Sequence, residues 1–205
     1  MIKNIIFDWS GVVKDCVDDH FNVVNRMLKE YGLPSISLSE LKKEWRQPYM
    51  AFYSKYFPKI TLDEEKELYK RAIAKSPKAK AYPGICQLIK GEKNKRLFVA
   101  SGDYPFTILK EIEDFQLSSV FDDVLIDLHD KEKAVSDLLK RHNLEPKETI
   151  IIGDTNHEIE VGKKLGIKTG AVTWGFCSED FLKSLKPDFL IHNIEELKDA
   201  ISSVS

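Results

Sequence analysis

The feature of this sequence that most limits its fold is a series of short apolar runs separated by amphipathic segments. From about residue 84 onward, the segments between the runs carry apolar residues at helical spacing. Short runs bounded by turn residues are typical of buried parallel strands, and their alternation with helices indicates βαβ units. The sequence therefore predicts an α/β fold with a covered parallel sheet. The runs are Ile5-Ile6-Phe7, Leu97-Phe98-Val99-Ala100, Val124-Leu125-Ile126, Ile150-Ile151-Ile152, Ala171-Val172 and Phe189-Leu190-Ile191.

One interval, from about residue 15 to residue 81, breaks this alternation. Its pattern is helical with no convincing strand: Phe21, Val24 and Leu28 share one helical face, and Thr61 is a candidate N-cap for a helix over 62–74. We predict that residues 15–81 form a helical insert after the first strand, and that residues 1–14 and 82–205 form the core. The two crossings between these parts are expected to act as hinges.

Composition and charge restrict the partners of the chain. Of its 205 residues 42% are hydrophobic and 31% are charged, as in an ordinary globular protein. With 31 Lys and Arg against 33 Asp and Glu, the net charge is −2. There is thus no overall positive field to hold nucleic acid or an anionic membrane surface. We expect a small-molecule partner and a chain that acts as a monomer or homodimer.

Targeting signals and cysteine usage indicate the compartment. No apolar run approaches the ~20 residues needed to cross a bilayer, and Asp8 interrupts the N-terminal apolar stretch before it could serve as a signal sequence. The three cysteines, Cys16, Cys86 and Cys177, lie far apart, and their odd number argues against a disulfide framework. We therefore expect a cytoplasmic protein without membrane association.

Acidic side chains follow two of the apolar runs. Asp8 comes directly after the first run, while Asp154 and Glu158 follow the fourth run and stand four residues apart. Open α/β sheets bind ligands outside the carboxyl ends of their strands. Oxygen ligands of this kind suit Mg²⁺, which takes one or two carboxylates together with water and phosphate oxygens. The acids after the fourth run are therefore candidate ligands of Mg²⁺, whereas Asp8 taken alone would more often cap a turn.

Two further groups could handle an anion. Ser101 and Gly102 follow the second run, where a hydroxyl and backbone N–H groups could hold an oxyanion, although Ser-Gly turns are common. Lys131 and Lys133 open the helix before the fourth run. A lysine at a helix N-terminus opposes the helix dipole, so its charge either has a specific partner or is simply solvated.

Taken together and in this order, these groups resemble the motifs of the haloacid dehalogenase-like hydrolase superfamily. The resemblance is to the phosphoglycolate-phosphatase type, in which a helical cap is inserted after the first motif, and it covers nearly the whole chain. It implies a Rossmann-like core and identifies the helical insert as the cap. The matching segments are Asp8-Trp9-Ser10-Gly11-Val12-Val13 (nucleophile motif), Tyr82-Pro83-Gly84 (return from the cap), Ser101 (second motif), Lys131-Glu132-Lys133-Ala134-Val135 (third motif) and Gly153-Asp154-Thr155 through Glu158 (fourth motif).

The resemblance also implies a mechanism. Asp8 would attack phosphorus in line and form an aspartyl phosphate. Mg²⁺ would be held by Asp8, the carbonyl of Ser10 and Asp154, with Glu158 coordinating it directly or orienting its water. The groups that would bind the phosphoryl oxygens are Ser101, Gly102 and Lys131.

Ser10 departs from the family pattern. Family phosphatases carry a second Asp two residues after the nucleophile, which protonates the leaving alcohol and later activates water. A serine hydroxyl can form hydrogen bonds but cannot act as a carboxylic acid near neutral pH. General acid–base catalysis typically contributes ~10²- to 10⁴-fold to a rate. We therefore expect that Ser10 takes part in catalysis and that the enzyme is slower than family phosphatases with Asp at this position.

Three explanations of Ser10 remain open. The enzyme could cleave a bond whose leaving group needs little protonation, or use another residue or a substrate group as the acid. It could resemble the phosphonate-cleaving branch, which Trp9 and Gly11 fit and which uses an imine-forming lysine. It could also be a weak phosphate-binding relative. The dehalogenating branch is disfavoured, because it needs no Mg²⁺ whereas this chain keeps Asp154 and Glu158.

The helical insert would decide among these explanations. Its segment 45–57 is rich in aromatics and includes Arg46 and Lys55, which are candidate substrate-binding residues. An imine-forming Lys55 would require burial to lower its pKa. The function that the sequence favours is Mg²⁺-dependent hydrolysis of a small phosphorylated metabolite.

Overall fold

A six-stranded, fully parallel sheet lies at the centre of the protein. The computed structural model describes residues 1–74, 76–103, 105–128 and 130–202, except for the side chain of Phe106. Its strands are β1 (Asn4–Phe7), β4 (Arg96–Ala100), β5 (Asp123–Leu125), β6 (Thr149–Gly153), β7 (Lys168–Val172) and β8 (Phe189–Ile191). The strand order β5-β4-β1-β6-β7-β8 places β1 between β4 and β6. The sheet confirms the predicted α/β fold with a Rossmann-like core.

Helices cover both faces of the sheet, because successive side chains of a strand point to opposite sides. In β1, Ile5 and Phe7 pack in a cluster that includes Ile85 and Leu197, whereas Ile6 packs in another that includes Val135. Such burial on both faces explains why the strands are continuous apolar runs. The core helices are α5 (Ile85–Gly91), α6 (Pro105–Asp114), α7 (Lys131–Arg141), α8 (Asn156–Leu165), α9 (Glu179–Ser184) and α10 (Ile194–Ser202).

The edge strand β5 is shifted by one residue from the predicted run 124–126. It begins at Asp123, and its three residues are partly exposed. The Asp123 carboxylate accepts a hydrogen bond from His142 at 2.9 Å, so tertiary contacts stabilise a strand start that hydrophobicity does not mark.

The described residues between the two crossings of the chain form four helices: α1 (Val17–Glu30), α2 (Leu38–Glu44), α3 (Met50–Tyr56) and α4 (Leu62–Ile73). The crossings pair as short antiparallel strands, β2 (Lys14–Asp15) and β3 (Lys80–Ala81). No strand was predicted here, because two residues are too few to show the alternation of a strand. This pairing ties the start and the end of the helical insert to each other.

The helical insert packs directly against loops of the core. The ring of Trp45 stacks on that of Phe176 with centroids 5.1 Å apart. The side chain of Asn156 accepts from the backbone N–H of Gln47 at 2.9 Å and donates to its carbonyl at 3.1 Å. These contacts hold the 45–47 segment over the loops that follow β6 and β7. None of the helices in the described part of the chain is both long and apolar enough to cross a membrane.

Candidate active site

The two central strands deliver acidic side chains to the same edge of the sheet. Asp8 directly follows β1, and Asp154 directly follows β6, its parallel neighbour. The backbone N–H of Asp8 donates to the carbonyl of Ile152 at 2.9 Å and so extends the strand ladder to the site. Parallel pairing therefore brings together residues that are far apart in sequence.

Three carboxylates and one ammonium group form a buried cluster at this edge. Asp8, Asp154 and Glu158 each offer an oxygen atom, and these atoms lie within 4.8 Å of one another. The Nζ atom of Lys131 lies 3.2 Å from Asp8 Oδ1 and also donates to Glu158 Oε1. Asp154, Glu158 and Lys131 are each at most 4% exposed. We refer to these four residues as the acidic cluster.

Lys131 and Lys133 have different surroundings, although both lie in the first turn of α7. Asp130 caps this helix by accepting a hydrogen bond from the backbone N–H of Lys133 at 2.9 Å. The Lys131 side chain enters the acidic cluster, whereas the Lys133 side chain is 75% exposed and pairs with Asp137. Lys131 therefore has the specific partners that its position at the helix N-terminus requires.

The acidic cluster has an excess of negative charge when its groups are ionised, because three carboxylates face one ammonium. Burial, together with the neighbouring carboxylates, raises the pKa of Asp8 to about 7 and that of Asp154 well above its usual range. Lys131 acts against burial and lowers the pKa of Glu158. The carboxylates in turn outweigh burial and raise the pKa of Lys131. A divalent cation would balance the remaining charge.

The atoms around Asp154 also fit a cation. Asp154 Oδ2 accepts from the backbone N–H of Phe176 at 2.6 Å, while Asp154 Oδ1 is buried and has no hydrogen-bond partner among the described residues. An unpartnered buried carboxylate oxygen is unfavourable unless a ligand satisfies it. Both oxygens of Glu158 are already engaged, Oε1 by Lys131 and Oε2 by the Thr155 hydroxyl at 2.7 Å. Asp154 Oδ1 is therefore the oxygen of the acidic cluster that is most available to a cation.

Gly11 makes room for this arrangement. Its φ of +83° lies in the left-handed region, which residues with a Cβ rarely adopt. A Cβ at this position would lie 2.2 Å from Asp154 Oδ2. Glycine at position 11 is thus required both by the reversal of the chain and by the approach of Asp154.

The structure places Ser10 and Ser101 on either side of a third residue, Asp103. Ser10 Oγ donates to Asp103 Oδ2 at 2.7 Å, and the backbone N–H of Asp103 donates to Ser101 Oγ at 3.1 Å. Ser101 is buried at the end of β4, and Gly102 separates it from Asp103. Asp103 was not predicted as a site residue, although an acid two residues after Ser101, in the same turn at the end of β4, could have indicated it.

The two candidates from the helical insert are engaged elsewhere. The guanidinium of Arg46 lies 3.3 Å from the ring centroid of Phe181 in α9. Lys55 Nζ lies 2.6 Å from Glu44, and its side chain is 54% exposed. An exposed, ion-paired lysine lacks the burial that an imine-forming Lys55 would require. The structure therefore does not bring Lys55 into the acidic cluster, because its helix directs it toward a surface partner.

The sequence did not predict the residues that contact and hold the site residues and their neighbours. Glu111 accepts from Trp9 Nε1 at 2.7 Å and forms an ion pair with Lys14 at 2.7 Å. Thr155 caps α8 through the N–H of His157 and also holds Glu158. The contacts of Trp9 and Lys14 with Glu111 join elements that are distant in sequence, so local patterns carry no sign of them. Thr155 and Glu158 stand three residues apart at the start of α8, a spacing that could have indicated the helix cap.

The acidic cluster lies at the carboxyl edge of a parallel sheet, which is where open α/β enzymes bind their ligands. The family model described as haloacid dehalogenase-like hydrolase matches residues 5–172. The chain therefore belongs to the haloacid dehalogenase-like hydrolases, which confirms the family indicated by its motifs.

Named relatives and a solved structure agree with this assignment. The chain is 27% identical to a phosphoglycolate phosphatase of Aquifex aeolicus, over 96% of this chain and 95% of that protein. It is also 27% identical to the pyrophosphatase PpaX of Halalkalibacterium halodurans, over 58% of this chain and 59% of that protein. A haloacid dehalogenase-like family protein of Streptococcus pneumoniae shares the fold with a TM-score of 0.78 and 23% identity, over 98% of this chain and 99% of that one.

Proposed function

We propose that this protein is a Mg²⁺-dependent phosphohydrolase that acts on a small phosphorylated metabolite through a phosphorylated Asp8. The observation that carries this proposal is the acidic cluster, in which Asp8 lies beside Lys131 and the partly unsatisfied carboxylate of Asp154. We further propose that this substrate is the partner of the chain, which acts as a cytoplasmic monomer or homodimer without nucleic acid or membrane.

Each residue near Asp8 has a distinct part in the proposed reaction. An Asp8 oxygen attacks phosphorus as the bond from phosphorus to the leaving oxygen breaks, and water then cleaves the aspartyl phosphate. The Lys131 ammonium offsets the charge of the phosphoryl oxygens, and the Ser101 hydroxyl and the Gly102 backbone bind them. A bound Mg²⁺, held by Asp8, the carbonyl of residue 10 and Asp154 with Glu158 beside them, would polarise the same oxygens.

The surroundings of the site favour a small substrate. The Asp8 side chain is 13% exposed, and Trp45 of the helical insert stacks on Phe176 beside Asp154. The Aquifex and Halalkalibacterium relatives are named for phosphoglycolate and pyrophosphate, both small phosphate compounds. We propose substrates of this size and leave the phosphonate-cleaving alternative aside, because Lys55 is exposed and ion-paired.

The proposal is tested with purified protein and Mg²⁺ on acetyl phosphate, pyrophosphate and phosphoglycolate. We expect turnover that EDTA abolishes, and borohydride should trap the aspartyl phosphate by reducing residue 8 to homoserine. Asp8→Asn should abolish both signals, while Asp137→Asn, which removes an exposed acid, should leave both unchanged. Phosphate binding without turnover or trapping would instead identify a non-catalytic phosphate-binding protein.

A further inference from the structure

One carboxylate holds both ends of the turn that follows Asp8. Glu111, in α6, accepts a hydrogen bond from Trp9 Nε1 at 2.7 Å through its Oε2 atom. Its Oε1 atom lies 2.7 Å from Nζ of Lys14. Trp9 directly follows Asp8, and Lys14 begins β2, where the chain crosses to the helical insert. The Glu111 side chain therefore spans the turn of residues 9–14 from its first residue to its last.

The backbone closes the same turn. The carbonyl of Trp9 accepts from the N–H of Lys14 at 2.9 Å, and the N–H of Gly11 donates to the carbonyl of Lys14 at 2.9 Å. A turn that is closed by its own hydrogen bonds keeps its shape, but its orientation depends on the contacts at its ends. The sheet holds the Asp8 backbone on one side, and Glu111 holds the side chains of the turn on the other.

The burial of Glu111 indicates a role in direction more than in stability. Glu111 is buried, and so is Trp9. The Trp9 ring already stacks on Phe115 with centroids 5.7 Å apart, so an apolar residue at position 111 would also keep this ring buried. Replacing a buried ion pair by apolar residues of similar volume is often neutral or stabilising. What an apolar residue could not supply is a hydrogen bond at the edge of the indole, which fixes the rotation of the ring.

Trp9 connects this hydrogen bond to the proposed nucleophile. Trp9 and Asp8 share a peptide bond, and the backbone N–H of Trp9 interacts favourably with the Asp8 carboxylate. The next residue, Ser10, carries the carbonyl that we propose as a ligand of Mg²⁺. A rotation of Trp9 would therefore displace both groups, and a misplacement of about 1 Å can cost about 100-fold in rate.

We propose that Glu111 is a positioning residue that holds Asp8, through the Trp9 indole, in the orientation from which it attacks phosphorus. Lys14 supplies the counter-charge that allows a carboxylate to occupy this buried position. This inference rests on the proposed phosphohydrolase function and extends it to a side chain of α6 that does not touch the substrate.

Two matched double variants test the proposal. Both remove the ion pair, and they differ in whether residue 111 can accept from the indole. Lys14→Met with Glu111→Leu should lower kcat by about 10- to 100-fold on each phosphate compound that the wild type hydrolyses. KM should change by less than about threefold, because Lys131 and Ser101, which bind the phosphoryl oxygens, lie in other elements. Lys14→Met with Glu111→Gln keeps an amide oxygen for the indole and should exceed the first variant in kcat by at least about fivefold.

The stability of the two variants excludes unfolding as the cause of a loss. The variant with leucine at position 111 should be at least as stable in urea as the variant with glutamine, because the amide nitrogen of glutamine would be buried without a partner. A structural role alone would therefore favour the leucine variant, whereas the positioning role favours the glutamine variant in kcat.

Two further measurements test whether Glu111 acts through Trp9. Adding Trp9→Phe to each double variant removes the indole donor, so the two triple variants should have kcat values equal within about a factor of two. The indole N–H resonance of Trp9, one of three tryptophans, reports the hydrogen bond in proton–nitrogen NMR spectra. It should move upfield with leucine at position 111 and stay closer to its wild-type position with glutamine.

The outcomes separate this inference from the proposed function. Equal kcat values in the two double variants, a loss that appears in KM alone, or a difference that persists after Trp9→Phe would overturn the positioning role and leave the phosphohydrolase in place. An unchanged indole resonance in the leucine variant would also overturn it. Absence of turnover and of trapped Asp8 in the wild type would instead overturn the phosphohydrolase itself, and with it any role in positioning its nucleophile.

Discussion

At the scale of single residues, two lysines of one helical turn show how burial decides the role of a charge. Lys131 is 4% exposed and contacts Asp8 and Glu158, while Lys133 is largely exposed and pairs with Asp137. The charge of Lys131 balances acids that have little access to water, so its loss would leave carboxylates buried without a counterion. Loss of the Lys133 charge would remove only an ion pair that is exposed to solvent.

We therefore predict that Lys131→Met lowers the free energy of unfolding by about 3 to 5 kcal/mol at pH 7. Lys133→Met is the matched control and should change it by less than about 1 kcal/mol. Because Lys131 lowers the pKa of Glu158 against the effect of burial, its contribution is fully present above the ordinary pKa of glutamate and is lost as the pH falls below it. Urea unfolding of the variants measures both effects, and equal losses at the two positions would contradict the assignment.

At the scale of elements, the start of helix α4 was predicted from a local sequence pattern, and the structure confirms it. The sequence predicts Thr61 as its N-cap, and in the structure Thr61 Oγ1 accepts from the N–H of Glu64 at 3.3 Å. The Glu64 carboxylate in return accepts from the N–H of Thr61 at 2.9 Å, which completes a capping box. Since these contacts span three residues, they can be read from sequence without knowing where the helix packs.

Thr61→Ala should lower the free energy of unfolding by about 1 kcal/mol, because the first turn of α4 loses the acceptor for its N–H groups. Thr61→Ser keeps that acceptor and should stay within a few tenths of a kcal/mol of the wild type. Thermal unfolding followed by circular dichroism distinguishes the two. A similar loss in both variants would mean that the Thr61 methyl group, rather than its hydroxyl, supports the helix.

At the scale of the whole molecule, the helical insert and the core share one hydrophobic cluster. Trp45 and Phe52 of the insert are buried in the same cluster as Phe176 and Leu182 of the core. Apolar surface buried between two parts of a chain couples their stabilities, because neither part can unfold without exposing it. The insert is thus expected to unfold together with the sheet.

We predict that the protein unfolds in a single transition. Tryptophan fluorescence tests this prediction, with one reporter in the core and one in the helical insert. Trp9 is buried in the core, in the hydrophobic cluster that contains Ile5 and Phe7 of β1, and Trp45 belongs to the helical insert. One variant keeps Trp9 (Trp45→Phe, Trp174→Phe), and the other keeps Trp45 (Trp9→Phe, Trp174→Phe). In each variant the urea midpoints from fluorescence and from circular dichroism should coincide. An earlier fluorescence transition in the variant that keeps Trp45 would show that the insert unfolds independently.

The sequence determined those properties of this protein that depend on local patterns. Runs such as 150–152 predicted buried parallel strands, because side chains covered on both faces of a sheet are apolar without alternation. Thr61 predicted a helix start, and the ordered motifs around Asp8, Lys131 and Asp154 indicated the family. All of these signals lie within a few residues of one another or follow a fixed order along the chain.

The tertiary structure decided the contacts between elements that are distant in sequence. Asp103 reaches Ser10 because β4 pairs with β1, and the Arg46 guanidinium lies over the ring of Phe181. Such contacts depend on strand order and side-chain direction, which hydrophobic periodicity does not encode. The sequence therefore predicted which residue types stand at the ends of the strands, whereas packing determined which of them touch.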